Sequence, residues 1–363
     1  MKTTKRKMHL IVWSVKSRRV LSFLSFLAII AACGGSARAQ LTITPTFDSS
    51  LTSLTNASVI EAGINSAITQ ITSDITTRFA DAVTIDFVST TDPNVLANSL
   101  TPQDNLSYTT YLADLQANTS QSATQTAALA TMPSGPVASL NNAANVYLTA
   151  ANLAAIGQTN AASALLNGGY NSTLTFNFSQ LNPSRTSGLV AGNYDLVTTA
   201  LHEIDEVLGI GGNGSQLGGN GTGTTPPNLP NNLGPLDFFR YSAPGVRSLT
   251  YNSNAVSYFS IDGGATPLVN FNQTGIGDYG DWGTGTVGLQ QGNTPPQVQD
   301  AFGTPYDATG YNGSAAANLG TNELTALQVV GYNVIAVPEP GSWALFATAT
   351  ATLIIIRIRR RSA

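Results

Sequence analysis

The sequence predicts an α+β fold in which strands and helices lead up to one central helix, followed by a loop-rich C-terminal part. Three observations support this prediction. Strand-like and helix-like segments alternate before residue 195, the stretch 195–209 (DLVTTALHEIDEVLG) has helical periodicity, and Gly, Pro and Asn become frequent after it. With 363 residues, 42% of them apolar, the chain can bury a full core in one large domain or two small ones.

Ahead of the central helix, apolar residues recur with two different periods. Alternation at every second position predicts strands, and recurrence at every third or fourth position predicts helices. Residues 107–165, rich in Ala, Thr and Asn, are predicted to be partly helical, with a break at Met132–Pro136. The other predicted elements are strands at Leu41–Phe47, Val83–Val88 and Thr173–Phe178 and a long helix at Ala57–Phe79.

The central helix is predicted to have one apolar and one polar face. At about 100° per residue, a polar line runs opposite the apolar arc. His202 and Glu206 lie in this line four residues apart, with Glu203 on its flank, so the three side chains project from one side of the helix. Asn193 is the predicted N-cap, and Gly209 is the predicted residue at which the helix stops. The apolar arc consists of Leu196, Val197, Ala200, Leu201, Ile204, Val207 and Leu208.

The chain after the central helix is dominated by turn-forming residues. Residues 210–235 are rich in Gly, Asn and Pro, which favour a loop over regular structure. In the later block GDYGDW, Asp278 and Asp281 stand next to glycines, a pattern that predicts either a turn or a calcium-binding loop. Thr321–Tyr332 is predicted to be a terminal helix, with Thr321 or Asn322 as its cap.

Basic residues are distributed very unevenly along the chain. Eight of the Lys and Arg residues lie within 1–39, and four more lie within 357–361. Between them, four Arg and no Lys face nineteen Asp and Glu, a formal charge of −15. A nucleic-acid partner is therefore not expected, because no basic surface is available to displace counterions from phosphates. The acidic, lysine-free composition suits a secreted protein, and a compositional bias of the genome or lineage is the alternative.

Residues 1–39 have the three parts of a secretory signal peptide. A basic start is followed by the apolar run Val20–Ala32 and by Ala37-Arg38-Ala39, a small-residue site for signal peptidase. An alternative is lipidation at Cys33, because Ile30–Cys33 also resembles a lipobox. Cys33 is the only cysteine, which excludes an intramolecular disulfide and a site with several thiolate ligands.

The C-terminal residues 337–363 also have three parts. Val337-Pro338-Glu339-Pro340 precedes an apolar run, Trp343–Ile356, and an Arg-rich tail. This arrangement resembles the PEP-CTERM sorting signal. The resemblance implies a transient membrane anchor, which an exosortase-type enzyme removes when it passes the protein to the cell surface. A plain C-terminal membrane anchor is the alternative.

The polar face of the central helix resembles a zinc-peptidase motif in which one ligand is changed. In HExxH, two imidazoles hold the ion, and the intervening Glu accepts a proton from the water that the ion activates. Here His202 and Glu206 are the candidate ligands, and Glu203 is the candidate general base. His202 is the only histidine after the leader, so a third ligand has to be a carboxylate, and Asp237 is the expected one. No methionine follows Met132 to form a Met-turn.

Several blocks together resemble a family of secreted bacterial zincin-like metalloproteases bearing HEIxEV. The resemblance implies a metzincin-related domain over 40–336, zinc on His202 and Glu206, Glu203 as the base, and a peptide or protein substrate. Folds of this type often place the sheet edge at the strand before the helix, here Thr173–Phe178. The chain departs from the family at Ile210-Gly211, where an Arg is expected, although Arg240 is a candidate to compensate. The blocks are TALHEIDEVLG, LDFFRYSAPG, YFSIDGG, GDYGDW and LTALQVVGYN.

Three functions follow from these observations. The first is a secreted or surface-associated metal-dependent endopeptidase. The second is a non-catalytic surface or biofilm-matrix protein on a degenerate protease scaffold, which the second carboxylate and the missing third histidine favour. The third is calcium-dependent glycan binding through the Asp, Gly and Trp loops. All three imply export across the inner membrane to the cell surface or the extracellular matrix.

Overall fold

A computed structural model describes the chain from Ala39 onward in seven stretches. The predicted signal peptide up to Arg38, with Cys33, lies outside the described residues, as does the predicted sorting signal 337–363. The middle of the predicted loop 210–235 also lies outside them, while its two ends are described. The described stretches are 39–134, 145–217, 232–250, 252–274, 277–283, 297–302 and 318–335.

The described residues form a mixed α+β structure with several sheets, as the sequence predicts. The α-helices are α1 (Ser49–Thr52), α2 (Ala57–Asp74), α3 (Tyr108–Gln116), α4 (Ala123–Thr131), α5 (Ala150–Ile156), α6 (Thr159–Ala164), α7 (Leu196–Val207) and α8 (Thr321–Val329). The strands of the N-terminal half are β1 (Ala39–Phe47), β2 (Ile75–Thr77), β3 (Asp81–Ser89), β4 (Ala97–Leu100), β5 (Gln103–Ser107), β6 (Asn145–Thr149) and β7 (Ser172–Phe176). The later strands are short: β8 (Leu181–Asn182), β9 (Tyr194–Asp195), β10 (Asn232–Leu233), β11 (Arg240–Ala243), β12 (Val246–Arg247), β13 (Tyr258–Phe259), β14 (Val269–Asn270) and β15 (Asn333–Val334).

The largest sheet has six strands in the order β15-β2-β1-β3-β7-β4. Its centre is parallel, because β1 pairs with β3 and β3 with β7 in the same direction, and β4 closes one edge by antiparallel pairing with β7. Alternate residues of β3, among them Val83, Ile85 and Phe87, are buried, as the period-two pattern predicts. The expectation that Thr173–Phe178 forms the edge is wrong, because β4 pairs along the outer side of β7.

The first long helix, α2, is shorter than predicted. It ends at Asp74 rather than Phe79, and Ile75–Thr77 forms β2 beside β1. Three consecutive β-branched residues favour this extended backbone over another helical turn. Gly63 in α2 allows a close approach to α7, because a Cβ atom there would lie 2.9 Å from the Leu196 side chain. The two helices therefore pack with little space between their backbones.

The central helix α7 has the predicted apolar face, and every residue of the predicted arc is buried. Its N-cap is Asp195 rather than Asn193. The Asp195 carboxylate accepts from the Thr198 amide at 3.0 Å, and β9 keeps the backbone extended up to this residue by pairing with β8. Gly209 terminates the helix as predicted, with φ of 87°. The amides of Gly209 and Ile210 donate to the carbonyls of Glu206 and Asp205, a Schellman ending.

The C-terminal part packs around aromatic side chains beside α7. The small sheet β12-β11-β13-β14 contributes Phe259, whose ring stacks on Trp282 at 5.5 Å between centroids. The terminal helix α8 runs from Thr321 to Val329 and ends three residues before the predicted Tyr332, because Gly331 adopts a left-handed backbone with φ of 123°. Its N-cap is Gly320 rather than Thr321 or Asn322, and the Glu323 carboxylate accepts from the Gly320 amide. Within the described part of the chain, no helix is both long and apolar enough to cross a membrane.

Candidate metal centre

His202, Glu203 and Glu206 line a cavity of about 640 Å³. The cavity lies between α7, residues 94–99 at the start of the edge strand β4, and the two segments 277–283 and 297–302. The helix presents the three side chains to the cavity because they occupy its polar face, while the apolar arc packs into the core. The site therefore combines a regular element with loops from a distant part of the chain.

Three side chains converge on one point. The Nε2 atom of His202 lies 3.8 Å from Glu206 Oε1 and 3.8 Å from Asp281 Oδ2. One ligand atom from each residue lies within 4.8 Å of the other two. In a tetrahedral zinc site, nitrogen and oxygen ligands about 2.0–2.2 Å from the ion are roughly 3.4 Å apart. A closure of about half an ångström would therefore bring each of the two carboxylate oxygens to a zinc-binding separation from Nε2.

The imidazole of His202 is oriented for ligation through Nε2. Its Nδ1 atom lies 2.9 Å from the Val298 carbonyl oxygen, a partner that can only accept a hydrogen bond. The proton is therefore assigned to Nδ1, which leaves the lone pair on Nε2. Glu206 and Asp281 each have an oxygen 3.8 Å from Nε2, and the side-chain amide nitrogen of Gln299 lies 3.3 Å from it. Burial lowers the pKa of His202 and favours the neutral ring, which is the form that binds metal.

Glu206 is held by two donors. The Ser99 hydroxyl of β4 donates to Oε2, and the Gly212 amide donates to Oε1 at 3.0 Å. Burial raises the pKa of Glu206 to about 7, and these two hydrogen bonds oppose the shift. A Cβ atom at residue 212 would lie 2.5 Å from Glu206 Oε1 and 2.8 Å from Asp278 Oδ2. A side chain at residue 212 would therefore have to displace the carboxylates of Glu206 and Asp278.

Asp281, not Asp237, joins His202 and Glu206. The Gln299 amide nitrogen donates to Asp281 Oδ1 at 2.9 Å, which leaves Oδ2 facing His202. Asp278, from the same block, lies close to Glu206. Burial raises the pKa of Asp278 to about 6, and repulsion from Glu206 adds to the shift. The block GDYGDW contains both residues, but its sequence pattern predicts only a turn or a calcium-binding loop.

Asp237 has a different environment. It is fully buried in the 3₁₀ segment Pro235–Phe239 and does not line the cavity. One of its oxygens accepts from the Ser215 hydroxyl at 2.6 Å. The other accepts from the amides of Gln216 at 2.9 Å and Gly234 at 2.8 Å. The structure therefore does not bring Asp237 to the ion-binding group, and its hydrogen bonds close the two ends of the loop 210–235.

Glu203 lies beside the group without belonging to it. It lines the cavity, is 5% exposed, and its Oε2 atom is buried without a hydrogen-bond partner. Burial, followed by repulsion from Glu206 and Asp278, raises the pKa of Glu203 well above its usual value. A buried carboxylate without a donor favours its protonated form until a nearby positive charge lowers the pKa again.

Most of the carboxylates that line the cavity have no cationic partner among the described residues. Six described carboxylates line it, and of these Asp195 pairs with Arg185. No Lys or Arg lies among the described lining residues beside Glu203, Glu206, Asp278 and Asp281. Buried carboxylates are costly without a cation or several donors. A divalent ion between His202, Glu206 and Asp281 would supply the missing positive charge, and the imidazole nitrogen with carboxylate oxygens suits zinc.

A scan against protein-family models finds no match for this chain, and searches of curated proteins and of solved structures find none either. The function is therefore inferred from the residues of the site. The zincin-like fold and the protease family remain predictions from the sequence.

Arg240 holds a loop of the site and does not enter the cavity. Its buried guanidinium stacks on Phe271, with 4.1 Å between Cζ and the ring centroid, and donates to the Tyr279 carbonyl. Tyr279 lies between Asp278 and Asp281, so this contact fixes the loop that carries both carboxylates. Burial lowers the pKa of Arg240 to about 10, and the charge of Asp237 opposes the shift. Arg240 therefore positions the loop that carries Asp278 and Asp281, and Asp237 lies beside Arg240 outside the cavity lining.

Proposed function

We propose that this protein is a secreted, zincin-like metal-dependent endopeptidase with zinc held by His202, Glu206 and Asp281. The observation that carries the proposal is the convergence of these three ligand atoms within 4.8 Å, beside Glu203 on the same helix face and in one cavity. The tautomer of His202 and the uncompensated carboxylates support it independently.

Zinc at this position would supply Lewis-acid chemistry, which polarises a peptide carbonyl and makes water more acidic. Glu203 is the group that takes up the proton from the attacking water and passes it to the leaving amine. Its burial keeps bulk water away from the carboxylate, and the charge of a nearby ion would lower its raised pKa toward the range in which it can act as a base.

The edge strand β4 provides a surface on which a peptide substrate can bind. It is the outermost strand of the six-stranded sheet, and Ala97, Asn98 and Ser99 line the cavity. An extended peptide can pair with such an edge through main-chain hydrogen bonds, largely independent of its sequence. Ser99 also donates to Glu206, so the strand that would bind the peptide contacts a proposed ligand directly.

Metal analysis of the purified full-length protein, combined with hydrolysis of a casein substrate, tests the proposal. We expect about one zinc per chain and measurable cleavage. His202→Ala should lose both the zinc and the cleavage, whereas Glu203→Gln should keep the zinc and lose turnover by about 10²- to 10⁴-fold. A wild-type protein that binds no metal at neutral pH and cleaves no peptide would contradict the proposal.

The second candidate is a non-catalytic surface protein whose site binds an ion for structural reasons. The observation that favours it is the ligand chemistry, because one imidazole with carboxylates from Glu206, Asp278 and Asp281 is rich in the oxygen ligands that calcium prefers. It predicts a preference for calcium over zinc and no effect of Glu203→Gln in any assay. A separate glycan-binding calcium loop has less support, because Asp278 and Asp281 line the same cavity as His202.

We also propose export with processing at both ends. Signal peptidase would cleave after Ala39, and an exosortase-type enzyme would act at the segment that begins with Val337. Mass spectrometry of the protein recovered from the cell surface should find the N-terminus at Gln40 and no peptide from the Arg-rich tail. A mature N-terminus at lipidated Cys33 would support the lipobox alternative.

A further inference from the structure

Glu323, in the first turn of α8, is fully buried and accepts three hydrogen bonds. Its Oε1 atom accepts from the Trp282 indole at 3.0 Å and from the Gln299 backbone amide at 3.3 Å. Its Oε2 atom accepts from the Gly320 amide at 3.1 Å. One carboxylate therefore connects the terminal helix to two separate segments of the chain.

Both segments carry groups of the metal centre. Trp282 directly follows Asp281, and Gln299 directly follows Val298, whose carbonyl accepts from His202. The Gln299 side chain donates to Asp281 at 2.9 Å, and the Trp282 amide donates to the Gln299 carbonyl at 2.7 Å. The two segments are thus bonded to each other and to the same buried carboxylate.

We propose that Glu323 is a positioning residue for the metal centre, which sets the orientation of both His202 and Asp281 without touching the ion. The inference rests on the proposed function, since it names a further residue of the same site. Partners that orient metal ligands commonly change metal affinity by about 10- to 100-fold when they are removed. Glu323 would act on two ligands at once, because it holds the residue beside Asp281 and the residue beside the Val298 carbonyl.

Glutamine at position 323 cannot reproduce these contacts. Glutamate offers acceptors on both oxygens, whereas glutamine offers one carbonyl oxygen and one NH₂ group. In Glu323→Gln, the NH₂ group would face the Gly320 amide or the pair of donors from Trp282 and Gln299. At least one buried N–H then loses its partner, which displaces the segment to which it belongs.

Gln125 in α4 offers a matched control. It is buried, and its side chain donates to the carbonyls of Gln328 and Tyr332 at the other end of α8. Gln125→Ala therefore loosens the same helix without breaking any contact to Trp282 or Gln299. If Glu323 affected the site only through the stability of α8, the two variants would change metal binding alike.

The experiment measures zinc affinity by chelator competition in full-length wild type, Glu323→Gln and Gln125→Ala. It also measures the absorption spectrum of cobalt bound at the site, which reports ligand geometry. We expect Glu323→Gln to weaken zinc by about 10- to 100-fold and to change the cobalt spectrum. Gln125→Ala should lower the melting temperature with less than about a threefold change in affinity. Equal affinity and identical cobalt spectra in wild type and Glu323→Gln would overturn the inference.

A second measurement separates this inference from the proposed function. The chain has two histidines, so the imidazole ¹⁵N signals of His202 can be assigned by their loss in His202→Ala. We expect the Nδ1-protonated ring in the wild type and a shifted or mixed tautomer in Glu323→Gln, with or without metal. A wild type that binds no metal would contradict the proposed function, while an unchanged ring in Glu323→Gln would contradict the positioning role. If Glu323→Gln does not fold, Trp282→Phe removes the indole donor together with part of the buried ring that contacts Phe259 and Phe271, and the same outcomes apply.

Discussion

Buried carboxylates in two parts of this protein differ in what surrounds them. Asp237 accepts hydrogen bonds from a hydroxyl and two backbone amides. Burial raises the pKa of Asp237, and the charge of Arg240 and these hydrogen bonds oppose the shift. The carboxylates around His202 have fewer donors and no Lys or Arg among the described residues that line their cavity. Glu203 has a buried oxygen with no hydrogen-bond partner at all.

The difference separates a structural carboxylate from one that lacks a cation. A buried charge that is fully hydrogen-bonded stabilises the loop that supplies the donors, and its removal costs stability. A buried group of carboxylates with few donors and no cation destabilises the metal-free protein and is stabilised by a bound ion. Substituting Asp281 and Asp237 separately is therefore the most direct way to test which of the two is the third metal ligand.

The largest effect is expected for Asp281→Asn. The variant removes a ligand oxygen, so zinc affinity should fall by more than the roughly 100-fold upper range of a supporting residue. The metal-free protein should be as stable as the wild type or more stable, because a buried charge without a cation has been removed. Chelator competition and thermal unfolding measure the two quantities. Wild-type zinc affinity in Asp281→Asn would exclude it as a ligand.

Asp237→Asn should have the opposite effects. The NH₂ group of the new asparagine would face a donor from Ser215, Gln216 or Gly234. We therefore expect a loss of about 3 kcal/mol in the free energy of unfolding. Zinc affinity should stay within about threefold of the wild type, since no ligand is changed. Denaturant unfolding and the same competition assay provide the comparison. A loss of zinc with unchanged stability would restore Asp237 as the third ligand.

The stability of the metal-free protein should fall as the pH rises. Burial raises the pKa of Glu206 to about 7 and that of Asp278 to about 6. Both values lie above the unfolded values near 4, so this stability is fully present below pH 4 and is lost as the pH rises through 6 to 7. We expect the melting temperature to drop by several degrees between pH 5 and pH 8. Zinc should reverse the trend, because it binds the ionised carboxylates.

Asp81 provides a control for the pH experiment. Burial raises its pKa to about 7 as well, but it does not line the cavity. Asp81→Asn should remove part of the pH dependence without changing the stabilisation by zinc, whereas Glu206→Gln should reduce both. If zinc stabilised wild type and Glu206→Gln equally, Glu206 would not be a ligand of the metal centre.

The smallest effect is expected in substrate choice. With a divalent ion in place, the carboxylates that line the cavity still leave it negatively charged. Peptides with Lys near the scissile bond should therefore be cleaved a few-fold faster than matched peptides with Glu, and the difference should shrink at high salt. Measured kcat/KM for the peptide pair at two salt concentrations checks this. A preference for the acidic peptide would contradict this prediction.

The central helix was predictable because its pattern is local. The apolar arc, the common side of His202, Glu203 and Glu206, and the stop at Gly209 follow from a repeat of 3.6 residues and from the left-handed backbone that glycine adopts. The strand regions followed from alternation for the same reason. The N-cap was placed too early because pairing of β9 with β8, which the local pattern does not contain, keeps the backbone extended up to Asp195.

The third ligand of the proposed metal site could not be predicted from local sequence patterns. Asp237 and Asp281 both follow glycine-rich segments and precede aromatic residues, so the sequence alone does not distinguish them. By itself, the sequence determined that a metal site on this helix has one imidazole and must be completed by an acid. Only the tertiary structure decided which acid, because hydrogen bonds from Ser215, Gln216 and Gly234 hold Asp237 in its loop. Contacts from Gln299 and Trp282 bring Asp281 to His202 instead.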